Sequence, residues 1–284
     1  MSISNTPQNT YVYSRLPQRH IRLIRLQPSL DNDTPLRFSF WISSLNEARG
    51  EYDAVSYTWG SLDLTHEIFC AESLGEDEYA MAITENLFKV LKRFRHRLDE
   101  RVLWADALCI NQKDNEDKAQ QIPMMDHIYR GARHVVAWLG DGGTDVEMVL
   151  RTLGRLTEVP KGRAEHEDIT YIERALPLFL NLPWFRRMWI IQEAVLNMDM
   201  VLVCGSAELS MVKFVSGLDI VRSMEYWSSI GLVPGAIAVV NTIKIWKQYR
   251  SEADTTDLKI VNLVNQATWY ECGDDRDRIY ALYS

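Results

Sequence analysis

YDAVSYTWG, Tyr52–Gly60, is the stretch on which the fold turns. It is short and apolar, rich in residues that suit a pleated surface, and it stops at a glycine, so it predicts a strand. After an irregular loop, AITENLFKVLKRFRHRL (82–98) predicts a helix with Thr84 as its N-cap. Its Leu87, Val90, Leu91, Phe94 and Leu98 fall on one helical face. RVLWADALCI (101–110) predicts the next strand and KDNEDKAQQIPMMDHIYRGA (113–132) the next helix, opened by Asp114 and kinked or restarted at Pro123. HVVAWLG (134–140) and MVLVCG (200–205) predict two more strands. Strands separated by helical stretches imply βαβ units, hence an α/β domain with a mainly parallel sheet flanked by helices. Ligands of such sheets bind beyond the carboxyl ends of the strands. Here those ends are Trp59-Gly60-Ser61, Asp106 with the CINQ that follows, and the GDGG loop.

Residues 1–50 are expected to form an arm, with IRLIRL (21–26) as a half-exposed strand and RFSFWI (37–42) as its partner. Residues 51–208 form the α/β core. Residues 209–284 read as a helical extension packed on it, through FVSGLDIVRSM, AIAVVNTIKIWKQY and LKIVNLVNQATWY. DRDRIYALYS stops in mid-pattern, as a fragment of a longer protein would.

The 284 residues carry a net charge of -8, with 46% hydrophobic and 25% charged residues, ordinary for a soluble globular protein. An acidic balance argues against nucleic acid as the main partner. No apolar stretch is long enough to span a bilayer, and no secretory signal is visible, so the expected location is the cytoplasm. Four dispersed cysteines, Cys70, Cys109, Cys204 and Cys272, fit neither a disulfide framework nor a zinc site.

RMWIIQEAVL (187–196) predicts a helix that is apolar nearly all round yet carries Gln192 and Glu193. A carboxylate loses heavily on leaving water unless it is paired. Trp189 and Glu193 are spaced i, i+4, with Arg186 expected one turn earlier on the same face. Two readings follow. Either Glu193 forms a buried pair with a neighbouring arginine, or it is a functional carboxylate in a sheltered site.

Four stretches, YDAVSYTWGS, LWADALCINQKDNEDKAQQIPMMDHIYRGARHVVAWLGD, PWFRRMWIIQEAV and DDRDRIYALYS, together resemble the fungal heterokaryon incompatibility (HET) domain. Ala105, where the family has a bulky aliphatic, and Pro123 are the departures. Membership implies a part in non-self recognition and regulated cell death in filamentous fungi. YDAVSYTWGS and RMWIIQEAVL also resemble, more distantly, the first strand and the W-x-x-x-E helix of TIR domains. Ile190 and Ala194 stand at that helix's usual cysteine and leucine. This second resemblance implies a TIR-like or flavodoxin-like fold and cleavage of NAD+ with Glu193 as catalytic carboxylate. NAD+ or a related nucleotide would be the substrate, no cofactor would be needed, and activation would come from a homo-oligomer or a signalling partner.

The chemistry is coherent, because nicotinamide leaves NAD+ neutral and needs no acid, so one carboxylate can stabilise or attack the oxocarbenium-like ribose. Tyr57, Trp59, Gly60, Asp106, Trp189 and Arg186 are the expected substrate-binding residues. Asp106 reads equally as a cap for its loop, and Tyr57 and Trp59 equally as core. Asn111 and Gln112 are expected to close the CINQ loop. The rival function is a non-enzymatic death-signalling module acting by homotypic assembly, with Glu193 structural.

Overall fold

A computed structural model of the chain describes residues 11–71, 78–160, 165–197, 199–224, 227, 233–250, 270–272, 276, 278 and 281. The chain divides into two compact units, Met1–Arg133 and His134–Ser284.

The N-terminal unit holds six strands among the described residues: β1 (His20–Leu26), β2 (Arg37–Ser44), β3 (Asp53–Tyr57), β4 (Leu64–Cys70), β5 (Tyr79–Thr84) and β6 (Arg101–Trp104). Their order is β5-β4-β2-β1-β6-β3. β1 is antiparallel to both β2 and β6, as β4 is to β5, whereas β2–β4 and β3–β6 are parallel. The sheet is therefore mixed, which corrects the expectation of a mainly parallel one. The physical reason is the N-terminal hairpin. Instead of standing apart as an arm, β1 lies between β2 and β6, and Ile21 to Ile24 are all buried.

Thr84 ends β5 and caps α1 (Glu85–Phe94), accepting a hydrogen bond from the Leu87 amide. The buried face of α1 is Leu87, Val90, Leu91 and Phe94, each contributing about 1.5–3 kcal/mol of burial. Leu98 does not join that face. The helix stops at Phe94, Arg95 is extended, and Leu98 is 75% exposed. β6 is shorter than expected, because the chain turns at Asp106 into α2 (Asp106–Cys109). The next helix divides at Pro123, as its sequence requires. α3 (Asn115–Gln121), capped by Asp114, passes through a 3-10 turn into α4 (Met125–Gly131).

The C-terminal unit contains β7 (His134–Trp138), parallel to β8 (Met200–Cys204), which is antiparallel to β9 (Ala207–Ser210). Its helices among the described residues are α5 (Thr144–Leu156), α6 (His166–Leu180), α7 (Ile190–Val195), α8 (Met211–Arg222) and α9 (Pro234–Arg250). The last two realise FVSGLDIVRSM and AIAVVNTIKIWKQY; residues 258–269 of the third expected helix lie outside the described residues. α5 and α8 pack at a glycine contact. A Cβ on Gly217 would stand 2.8 Å from the Leu153 carbonyl oxygen. Gly217→Ala is expected to cost about 1–3 kcal/mol by overpacking, read as a lower urea midpoint at unchanged slope.

No helix among the described residues is long and apolar enough to cross a membrane.

Candidate functional site

The chain around Glu193 is broken rather than continuously helical. Pro183 opens a 3-10 turn, Pro183–Arg186, and Arg187 is extended before α7 begins. All six residues of α7 are buried, which is why its sequence is apolar apart from Gln192 and Glu193. Trp189 precedes the helix, and its carbonyl accepts the Glu193 amide at 3.2 Å, so the two share a turn as their spacing predicted. Arg186 does not lie one turn earlier on that helix. The extended residue between re-aims it, and its guanidinium pairs with Glu271.

The guanidinium that meets Glu193 belongs to Arg187, whose Nη1 donates to Glu193 Oε2 at 3.2 Å. Glu193 is 1% exposed. A carboxylate that dry is tolerated only with compensating charge, and Arg187 supplies it. Its negative charge is already engaged within the protein.

In the N-terminal unit, Trp59 and Asp106 come together. Trp59 Nε1 donates to Asp106 Oδ2 at 2.8 Å, while Oδ1 accepts the Ala107 amide at 2.8 Å. Asp106 thus caps its own loop and also anchors the indole. Tyr57 is buried at the end of β3. Gly60 has a φ of +69°, a left-handed turn that suits glycine, and Asn86 at the start of α1 binds the Thr58 carbonyl just before it. Asn111 and Gln112 close the CINQ loop: Asn111 Oδ1 accepts the Lys113 amide at 3.2 Å, and Gln112 Nε2 donates to the Asp106 carbonyl at 2.9 Å. Beside these residues lies a cavity of about 560 Å³ lined by Trp59, Leu62, Leu64, Leu108, Asn111 and Gln112 among others.

Two ion clusters, each built on a buried charge, are not legible in the sequence. Arg22 of β1 is 1% exposed and grips Asp117 of α3 bidentately, at 2.9 and 3.0 Å. Its other bonds go to the carbonyls of Cys109, at 3.0 Å, and Ser14, at 2.7 Å. Asp53, buried at the start of β3, receives Arg101 at 2.9 Å and Arg133 at 3.1 Å on its two oxygens. In IRLIRL the alternation of arginine with apolar residues suggested a wet face. The signal that a guanidinium is buried lies 95 residues away, in Asp117.

Among the described residues no group of three or more His, Cys, Asp and Glu side chains could hold a metal ion. Burial pushes the thiols of Cys109 and Cys204 up to about 12, so neither supplies a thiolate near neutral pH. Brief iodoacetamide treatment at pH 8 is expected to alkylate the half-buried Cys272 first and to reach Cys109 and Cys204 only on unfolding. Mass spectrometry showing Cys109 labelled as fast as Cys272 would contradict this.

The geometry defines a mixed α/β domain with an enclosed Glu193–Arg187 pair in one unit and a Trp59–Asp106 strand-end site in the other. The sequence model of the family described as heterokaryon incompatibility protein (HET) matches residues 52–193, and the chain belongs to that family. It is 29% identical over 242 residues to the heterokaryon incompatibility protein 6, OR allele, of Neurospora crassa, covering 71% of this chain and 35% of that protein. The chain therefore spans about a third of the length of that relative. No solved structure matches it.

Proposed function

We propose that the chain acts in heterokaryon incompatibility as a death-signalling module that works by self-assembly, with Glu193 holding the fold rather than performing chemistry. The observation that carries the role of Glu193 is its enclosure: 1% exposed, and facing the Arg187 guanidinium at 3.2 Å. A carboxylate so engaged is a weak electrostatic lure for a developing ribosyl cation, since its field is largely cancelled at the source.

A second reading has its own support. The Trp59–Asp106 pair lies just past the ends of β3 and β6, beside a cavity of about 560 Å³, where ligands of α/β sheets bind. In that reading the domain is TIR-like and cleaves NAD+, and Tyr57, Trp59, Gly60 and Asp106 bind the nucleotide. One pair of measurements separates the two. Purified protein, at high concentration or artificially clustered, is incubated with NAD+, and wild type and Glu193→Gln are melted in parallel. No nicotinamide release, together with a lower melting temperature for the variant, supports the structural role. Release that Glu193→Gln abolishes without lowering the melting temperature supports catalysis and overturns the first reading.

A further inference from the structure

The strand-end cavity has a chemical bias that neither reading uses. Its walls include Trp59, Leu62, Leu64, Met81, Ile83 and Leu108, and Leu62 and Leu64 are 69% and 59% exposed. Most of the polar side chains that line it are turned to internal work. Tyr13 Oη donates to the Leu108 carbonyl at 3.0 Å, Trp59 Nε1 to Asp106, and Gln112 Nε2 to the Asp106 carbonyl, while Thr84 Oγ1 accepts the Leu87 amide and Asn111 Oδ1 the Lys113 amide. To a visitor these walls are largely apolar. Lys113 differs. It is exposed at the lining, and among the described residues its ammonium makes no ion pair and no carboxylate side chain lines the cavity.

From this juxtaposition of an apolar hollow of about 560 Å³ with one uncommitted cation we propose a binding site for a small apolar molecule carrying a single anionic group, of the medium-chain carboxylate class. The chain of the ligand lies against Leu62, Leu64, Met81 and Leu108, and its carboxylate meets Lys113. Apolar burial provides most of the affinity, and the cation sets the sign of charge the site accepts.

Isothermal titration with octanoate, 1-octanol and octylammonium tests this. Octanoate is expected to bind saturably, roughly two- to fivefold tighter than octanol, the gain typical of an exposed ion pair, with octylammonium weakest. Lys113→Glu should bring octanoate to or below octanol while leaving octanol unchanged. Leu62→Glu should weaken both. Both substituted positions are exposed, so an unchanged melting temperature confirms that each variant is folded. No saturable octanoate binding, no preference for octanoate over octanol, or indifference to either substitution overturns the proposal. The readout is binding, so the outcome is independent of whether the protein releases nicotinamide.

Discussion

Asp117→Ala is expected to destabilise the protein by about 3–5 kcal/mol, enough to unfold much of a marginally stable population at 37 °C. Asp117 neutralises Arg22 through two hydrogen bonds and also accepts the Asn111 amide at 2.8 Å, so one carboxylate ties β1, the CINQ loop and α3 together. Truncating it leaves a guanidinium 1% exposed without its counter-charge and strips the loop of its acceptor. The asymmetry is the test. Converting both partners together, Arg22→Met with Asp117→Leu, should cost markedly less than Asp117→Ala alone, because no uncompensated charge stays behind. Urea titration of the two variants reads the difference; equal costs would mean that lost packing, not stranded charge, dominates.

The second large effect is expected at Arg187. Arg187→Ala takes away the cation facing a carboxylate that is 1% exposed, and a loss of about 3–5 kcal/mol follows. Glu193→Gln should cost less. Arg187 is 20% exposed, so water can solvate its charge, and the amide oxygen still accepts a hydrogen bond. A double-mutant cycle should give a coupling of about 0.5–3 kcal/mol between the two positions. If Arg187→Ala proves neutral, or raises the melting temperature, the pair is not holding α7 in place and the structural role of Glu193 fails. A neutral or stabilising result is typical of functional sites, where charge is arranged at the expense of stability.

Local chemistry was the legible part of the sequence. Thr84 and Asp114 cap the helices they were expected to cap, Pro123 restarts its helix, and the strand positions of β3, β6, β7 and β8 follow from short apolar runs. What failed was long-range. LTHEIFC and YAMAIT read as an irregular loop because polar residues break the first and the second merges into a helical pattern, yet they pair as β4 and β5. The placement of β1 depends on strands at both of its sides, one of them about eighty residues on. At the candidate site, the i, i+4 relation of Trp189 and Glu193 was readable, and so was a buried arginine partner. The identity of that partner was not, because a 3-10 turn followed by one extended residue redirects Arg186 and Arg187 in a way no periodicity reveals. Asp106 took its capping role and also received the Trp59 indole, so both of its oxygens are engaged.

The junction at Thr84 has no slack: the last residue of β5 is also the cap of α1, with nothing between them. A strand that slips by one residue turns its side chains to the opposite surface, and a helix entered one residue late is rotated by about 100°. An inserted residue there would therefore move Lys89 into the place now taken by Val90 and Arg93 into that of Phe94, both of them buried. The exposed link at residues 61–63 can absorb the same added residue by bulging outward. Length variation among natural versions of this domain should accordingly collect in that exposed link and vanish at the strand-to-helix joint.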